Sequence, residues 1–269
     1  MKKTVIPAMM LMIGLLASCS KELNTPITPD NLPIVESYLY AGDSIITIKV
    51  TKILPFSDDT IAATEFISGL HLQINGTDLS ETGIGIYTLA LGDKRIQPGE
   101  SYVLKFLYAS DTVSSTTIIP DKPLGFSISS NIIYMDRITI TSSSIPSAPP
   151  ADLTLSWYNA DESYYYGLIQ YMETTRDFIN YRSVYLDLSD TTSISPTNTS
   201  EARLSTRNLN FFGYYRIILF KVNNEFADLY AQTEVNSNNI TSPVSLIKNG
   251  FGVFTGMASD TTYLEVIAN

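Results

Sequence analysis

Hydrophobic and polar residues alternate with a period of two along most of this chain, the spacing of half-buried strands rather than of helices. Ile34 to Tyr40 and Ser44 to Thr51 flank Gly42-Asp43 and read as a hairpin, because β-branched residues surround a tight glycine-containing turn. Leu70 to Ile74 alternates and runs into Asn75-Gly76, the dipeptide best suited to a two-residue hairpin turn. Gly85 to Leu89, Ser101 to Phe106 and Thr112 to Ile119 continue the series, with turns at Gly92-Asp93 and Pro98-Gly99. Strands at this spacing predict an Ig-like or transthyretin-like antiparallel β-sandwich over residues 34–120.

Pro120-Asp121-Lys122-Pro123 marks the joint to a second β-rich domain over residues 121–269, and the prolines of Ile145 to Pro150 mark a further break. Beyond it, Leu153 to Tyr158, Tyr164 to Met172 and Tyr214 to Val222 are long, apolar and rich in aromatic pairs. Ser189 to Thr206 is polar and contains proline, which predicts an exposed excursion. Asn224 to Thr233 is the one segment with helical spacing, Phe226, Leu229 and Tyr230 falling on one side. The fold class expected is therefore mainly β with at most one short helix.

The amino terminus carries a different signal. Lys2 and Lys3 precede an apolar run from Val5 to Leu16, too short to span a bilayer, and small residues Ala17 and Ser18 follow. Residues 1–18 have the layout of a secretory signal. Cys19, the only cysteine, closes the order Leu16-Ala17-Ser18-Cys19, which is similar to a bacterial lipobox whose thiol accepts a diacylglyceryl group. Each buried methylene of an acyl chain contributes about 0.8 kcal/mol, so three chains on one terminus would fix a protein to the membrane without a transmembrane segment. Residues 19–33 then read as a flexible tether, with three prolines and little apolar pattern. Its start, Ser20-Lys21-Glu22-Leu23, resembles the signal that sends many Bacteroidetes lipoproteins to the outer face of the outer membrane. Lipid anchoring at the cell outer membrane, surface-exposed, is the expected location.

Charge narrows the partners. The chain has 17 basic residues; without Lys2 and Lys3, 15 face 27 acidic ones, a net charge of −12. Such a surface repels phosphate backbones, so nucleic acid is not an expected ligand. With its cysteine acylated, the mature fold has no disulfide and relies on packing and strand ladders.

The inventory for catalysis is thin. His71 is the only histidine and sits in an alternating segment beside a hairpin turn, where a surface imidazole is expected rather than a base. No Gly-x-Ser-x-Gly elbow is present, and the His and Cys ligands of a zinc site are lacking, so no metal or cofactor is expected. Asp58-Asp59 and Asp161-Glu162 are adjacent carboxylate pairs in loops; neighbours on an extended chain point to opposite sides, and neither pair fits a calcium loop. Aromatics are the richer reserve. Tyr158, Tyr164, Tyr165 and Tyr166, with Tyr171, cluster around Trp157, which itself reads as core. Rigid rings with a polar tip suit a glycan, peptide or protein surface, while strand alternation sends about half of them inward. Ser44, Thr60, Thr112, Thr191 and Thr261 each follow an aspartate in a pattern similar to the O-glycosylation acceptor of Bacteroidetes envelope proteins, and equally to a turn feeding a strand.

The order of pieces carries a resemblance. Ile34-Val35-Glu36-Ser37-Tyr38-Leu39, Ile48 to Ile53 with Pro55-Phe56-Ser57, Gly85-Ile86-Tyr87, Pro98 to Leu104, Ile119-Pro120, Leu155-Ser156-Trp157, Tyr164-Tyr165-Tyr166 and the closing Asn249 to Gly256 follow one another. The whole resembles a Bacteroidetes lipoprotein family catalogued as domain of unknown function four-two-four-nine, from about Ile34 onward. The resemblance implies genes beside TonB-dependent outer-membrane transporters and brings no site residues. The expectation is a non-enzymatic lipoprotein accessory to such a transporter, binding its ligand or docking on its barrel. The alternatives are a carbohydrate-active hydrolase using paired carboxylates and a structural or adhesive surface protein.

Overall fold

A computed structural model describes residues 32–52, 65–139, 150–233 and 245–269. The Cys19 anchor, the Asp58-Asp59 pair and Thr60 lie outside the described residues. The chain is mainly β. In its first part β1 (Pro33–Tyr40), β2 (Ile45–Lys52), β3 (Gln73–Ile74), β4 (Thr77–Asp78), β5 (Ser80–Gly83), β6 (Ile86–Ala90), β7 (Ser101–Tyr108) and β8 (Asp111–Ile118) follow in order. The second part has β9 (Leu124–Ile128), β10 (Ile132–Met135), β11 (Leu153–Tyr158), β12 (Tyr164–Tyr171), β13 (Asp177–Phe178), β14 (Thr191–Thr197), β15 (Glu201–Leu204) and β16 (Phe211–Val222). The helix α1 (Asn224–Thr233) and the long strand β17 (Phe251–Ala268) close the chain. Among the described residues no helix is long and apolar enough to cross a membrane.

A ten-stranded sheet in the order β14-β12-β16-β17-β1-β2-β6-β5, with β10 added to β17 and β13 to β16, forms one continuous layer. Two smaller sheets, β4-β3-β7-β8 and β15-β11-β9, pack against it. Period-two alternation decides which residues do so. In β1, Val35, Ser37 and Leu39 are buried while Glu36 and Tyr40 are exposed; in β12, Tyr165, Gly167, Ile169 and Tyr171 are buried and the residues between them half-buried. The first core joins Val35, Ile46, Ile48, Tyr87, Leu104 and Val113. The second joins Leu155, Trp157, Tyr165, Phe211, Ile217 and Leu264. Fully burying one such side chain contributes roughly 1.5–3 kcal/mol, so each sandwich has a core of its own.

The strand β17 serves both. Ile34 to Tyr40 pair with Phe251 to Met257 in parallel, a departure from the all-antiparallel expectation for the first sandwich. Phe254 packs into the first core, Leu264 and Val266 into the second. This entry depends on Gly252, whose φ is +103° and whose added Cβ would lie 2.0 Å from the carbonyl oxygen of Val35. The predicted Asn75-Gly76 turn is present with both residues at positive φ, 50° and 79°, joining β3 to β4.

The exposed excursion expected over Ser189 to Thr206 is corrected. That segment supplies two edge strands, β14 on the large sheet and β15 on the three-stranded one. Threonine and serine alternation conceals the pattern: Thr192, Ile194 and Pro196 are half-buried, whereas Thr191, Ser193 and Ser195 face solvent. An edge position explains why Pro196 is tolerated.

Candidate ligand-binding site

A cavity of about 570 Å³ opens at one end of the second sandwich. Four pieces of chain build it. Tyr134, Met135, Asp136 and Ile138 come from β10 and its continuation; Asn180 and Ser183 come from the entry to a 3-10 turn, Tyr181–Tyr185. Thr206 and Arg207 come from a second 3-10 turn, Thr206–Asn208, and Asn269 directly follows β17. Ile179 and Leu209, both buried, form part of its apolar floor.

Several main-chain groups around the cavity are bonded within the protein. Ile138 donates its N–H to Ile179 O (2.9 Å) and Tyr181 donates to Ile138 O (2.9 Å). Ile179 donates to Asn210 O (3.0 Å) and Asn269 to Met135 O (3.0 Å). The Asn180 carboxamide oxygen caps its turn by accepting from the Arg182 N–H at 3.1 Å, and Thr206, fully buried, donates its hydroxyl to Pro150 O at 2.8 Å. These bonds tie the segments of the wall to one another.

Charges around the cavity are unequally engaged. Arg137 grips Asp177 through two hydrogen bonds of 2.5 and 2.8 Å and lies 4.6 Å from the centre of the Phe212 ring, and that guanidinium holds the Asp177 carboxyl below its usual range. Arg176 and Arg203 pair with Asp190 and Asp152. Asp136 accepts from the Asn269 carboxamide at 2.9 Å. Arg207 has no ion-pair partner among the described residues, and it also lines a neighbouring cavity of about 290 Å³, together with Asn210. Among the described residues no group of three or more His, Cys, Asp or Glu side chains could hold a metal ion.

The four tyrosines singled out in the sequence are dispersed. Tyr165 is buried and stacks on Trp157, ring centres 5.2 Å apart, so it belongs to the core. Tyr158 is exposed on the three-stranded sheet. Tyr164 and Tyr166 point to the opposite face of the large sheet from Tyr165. There Tyr166 joins Phe220, Phe226 and Tyr230, with ring centres 5.6 to 6.2 Å away, and so fastens α1 to the sheet. Tyr38 meets Phe226 and Tyr40 meets Phe220 in the same cluster, where burial pushes the phenols of Tyr38, Tyr40 and Tyr166 up. Trp157 is core, its indole N–H without a partner among the described residues.

Other candidates fall elsewhere. His71 is exposed beside Asp78, 3.3 Å away. Asp161 is bound by Lys221 at 2.7 Å, and that hydrogen bond with one from Ser163 holds its carboxyl at about 2. An acid so strong stays ionised at neutral pH and is unsuited to protonate a leaving group. Thr112, Thr191 and Thr261 are exposed and Ser44 half-buried. Sequence reasoning missed Tyr134, Asn180, Arg207, Asn210 and Asn269, which lie in separate segments without a shared spacing. The one available signal was Tyr181-Arg182-Ser183-Val184-Tyr185-Leu186, whose large apolar residues alternate with nothing.

Among solved structures the chain is similar to the FN1–FN3 domains of chicken CNTN1, at 13% identity over 87% of this chain and 65% of that one, with a TM-score of 0.26. It spans less than two thirds of that neighbour. No curated protein matches the sequence. Residues 21–263 match the family described as Domain of unknown function (DUF4249), and the chain belongs to that family.

Proposed function

We propose that this protein is a lipid-anchored lipoprotein on the outer-membrane surface that binds a ligand without transforming it, as an accessory of a TonB-dependent transporter. The observation that carries the binding reading is the 570 Å³ cavity, within the size range of small-ligand sites. Its wall offers carboxamides, hydroxyls and a guanidinium over an apolar floor, and its one acidic side chain, Asp136, is engaged by Asn269. Such a lining holds a ligand but lacks the paired acids that glycoside hydrolysis uses. The anchor reading rests on Leu16-Ala17-Ser18-Cys19 and the transporter on the resemblance described above.

The partner is tested by gentle crosslinking followed by purification of the detergent-solubilised protein. Recovery of a TonB-dependent transporter supports the reading; its absence removes the partner. The anchor is tested separately: Cys19→Ala abolishes incorporation of radiolabelled palmitate, and continued labelling of that variant overturns lipidation at this residue. Changing Lys21 and Glu22 together to Ala leaves lipidation intact and reduces accessibility to added protease. Unchanged accessibility removes the role of the tether as an export signal.

A further inference from the structure

We infer that the cavity beside Arg207 is a saccharide site, and that the sugar it takes is acidic, its carboxylate resting on the Arg207 guanidinium. This rests on the binding reading above and names its ligand class.

Three features of the wall lead there. The first is the state of the main chain. The N–H and C=O groups named above at Ile138, Ile179, Met135 and Asn269 are already bonded within the protein. An extended peptide recognises a sheet through free ladder groups, and those of Ile138 and Ile179 are taken. What remains for a ligand is side-chain chemistry: the Asn180 carboxamide N–H₂, the Ser183 hydroxyl and the Asn210 carboxamide, which lines both cavities. Carboxamides both donate and accept, as ring hydroxyls do, so they match the two-way hydrogen bonding of a sugar.

The second feature is the rim. Tyr134 is 58% exposed and lines the cavity, and Tyr181 and Tyr185, on the turn that supplies Ser183, are 39% and 79% exposed. Their rings lie 6.4 Å apart, edge to face. The exposed phenol ring of Tyr134 in the cavity wall offers a flat apolar face for the C–H side of a pyranose together with a polar tip for its hydroxyls.

The third feature is charge. In a chain of net charge −10, Arg137, Arg176 and Arg203 of the second sandwich pair with aspartates, whereas Arg207, which lines the cavity, has no ion-pair partner among the described residues; Arg182, on the turn beside it, and Arg216, which bonds Gln170, have none either. Asp136, the one acidic side chain of the lining, accepts from the Asn269 carboxamide. A planar guanidinium presents paired donors that match a carboxylate, and it sits where two cavities meet, so a uronate unit can extend across both.

The test uses the full-length protein in detergent and a panel of acidic oligosaccharides: oligogalacturonate, oligoalginate, hyaluronan and chondroitin fragments, and sialyl-oligosaccharides. Carboxyl-reduced oligogalacturonate and a peptide mixture of similar size serve as the neutral and peptide arms, all read by calorimetry. At least one acidic member is expected to bind. Arg207→Gln, at an exposed position that the fold does not need, should weaken that binding about tenfold to a hundredfold. Asn210→Ala should weaken both the acidic and the reduced ligand. Circular dichroism unchanged from the wild type assigns both losses to the site. Binding of no acidic member, equal binding of the reduced sugar, or preference for the peptides overturns the inference. None of those outcomes touches transporter recovery, and failure to recover a transporter leaves sugar binding as it stands.

Discussion

The first sandwich sets its rings apart: Tyr87, Tyr102, Phe106 and Phe254 are embedded among aliphatic side chains. In the second the rings touch one another. Tyr171 lies against Phe211 and Tyr215, ring centres 4.8 and 5.2 Å away, and Phe211 against Phe178 at 5.2 Å. The hydroxyls extend the contrast. Tyr171 donates to Phe212 O at 2.8 Å, and Tyr215 both accepts from the Phe211 N–H and donates to its carbonyl, each at 2.9 Å. These phenols bond main chain where it leaves the ladder, at the segments that go on to build the cavity. Tyr87 does this once in the first sandwich, bridging Ile67 O and the Leu70 N–H. A sheet closed by aliphatic packing makes a scaffold, and one closed by buried phenols can carry irregular chain, hence a site, with the main-chain groups of Phe211 and Phe212 paired.

Because β17 belongs to both, the comparison breaks most completely there. Gly252→Ala puts a methyl group against the Val35 carbonyl at a φ that L residues avoid, so β1 must separate from β17. The expected loss is about 4 kcal/mol or more, and thermal unfolding should show both sandwiches affected. A variant as stable as the wild type would mean that the close approach is not needed.

One step below, Phe254→Ala removes a ring that is 1% exposed in the first core only. It should cost about 3–5 kcal/mol. Hydrogen exchange is the measurement, with protection expected to fall in β1, β2 and β7 and to persist in β12 and β16. Equal loss in both sets would show the two cores unfolding as a unit, erasing the distinction drawn between them.

Tyr215→Phe sharpens the contrast from the other side. It keeps the ring in the second core but leaves the Phe211 N–H and C=O without their partner, at a cost of about 1–3 kcal/mol. Exchange should quicken at Phe211 and its neighbours, and the second sandwich should lose stability while the first keeps it.

Much of this contrast was legible in the sequence as alternation. Val35-Ser37-Leu39, Ile46-Ile48-Val50 and Tyr165-Gly167-Ile169 face inward as a period of two requires, Asn75-Gly76 makes its turn, and Asn224 to Thr233 is helical. The β14 strand was not legible, because alternation of threonine with serine has little hydrophobic contrast at an edge. Nor was the parallel pairing of β1 with β17, a contact across more than 200 residues that composition does not encode. The site was the least legible part. Arg207 and Asn210 look like ordinary loop residues, and only folding brings them to Tyr134 and Asn180, whereas the conspicuous Tyr164-Tyr165-Tyr166 run is divided by the pleat between core and surface.

The smallest effect concerns a charge pair on the sheet face. The Lys221 ammonium, largely shielded, holds the more exposed Asp161 carboxylate, and passes 6.0 Å from the Tyr165 ring of the second core. Because the folded carboxyl sits at about 2, below its ordinary 3.8, it stabilises the fold at pH above that ordinary value. The contribution fades as pH falls through about 4 and is gone below about 2. Lys221→Met should therefore return Asp161 towards its ordinary titration, seen by NMR of the carboxyl carbon. At neutral pH it should lower stability by less than about 1 kcal/mol, since the pair is solvent-screened. The gap from the wild type should close on acidification. A gap that stays constant down to pH 2 would mean that the lysine acts through packing on Tyr165 rather than through its charge.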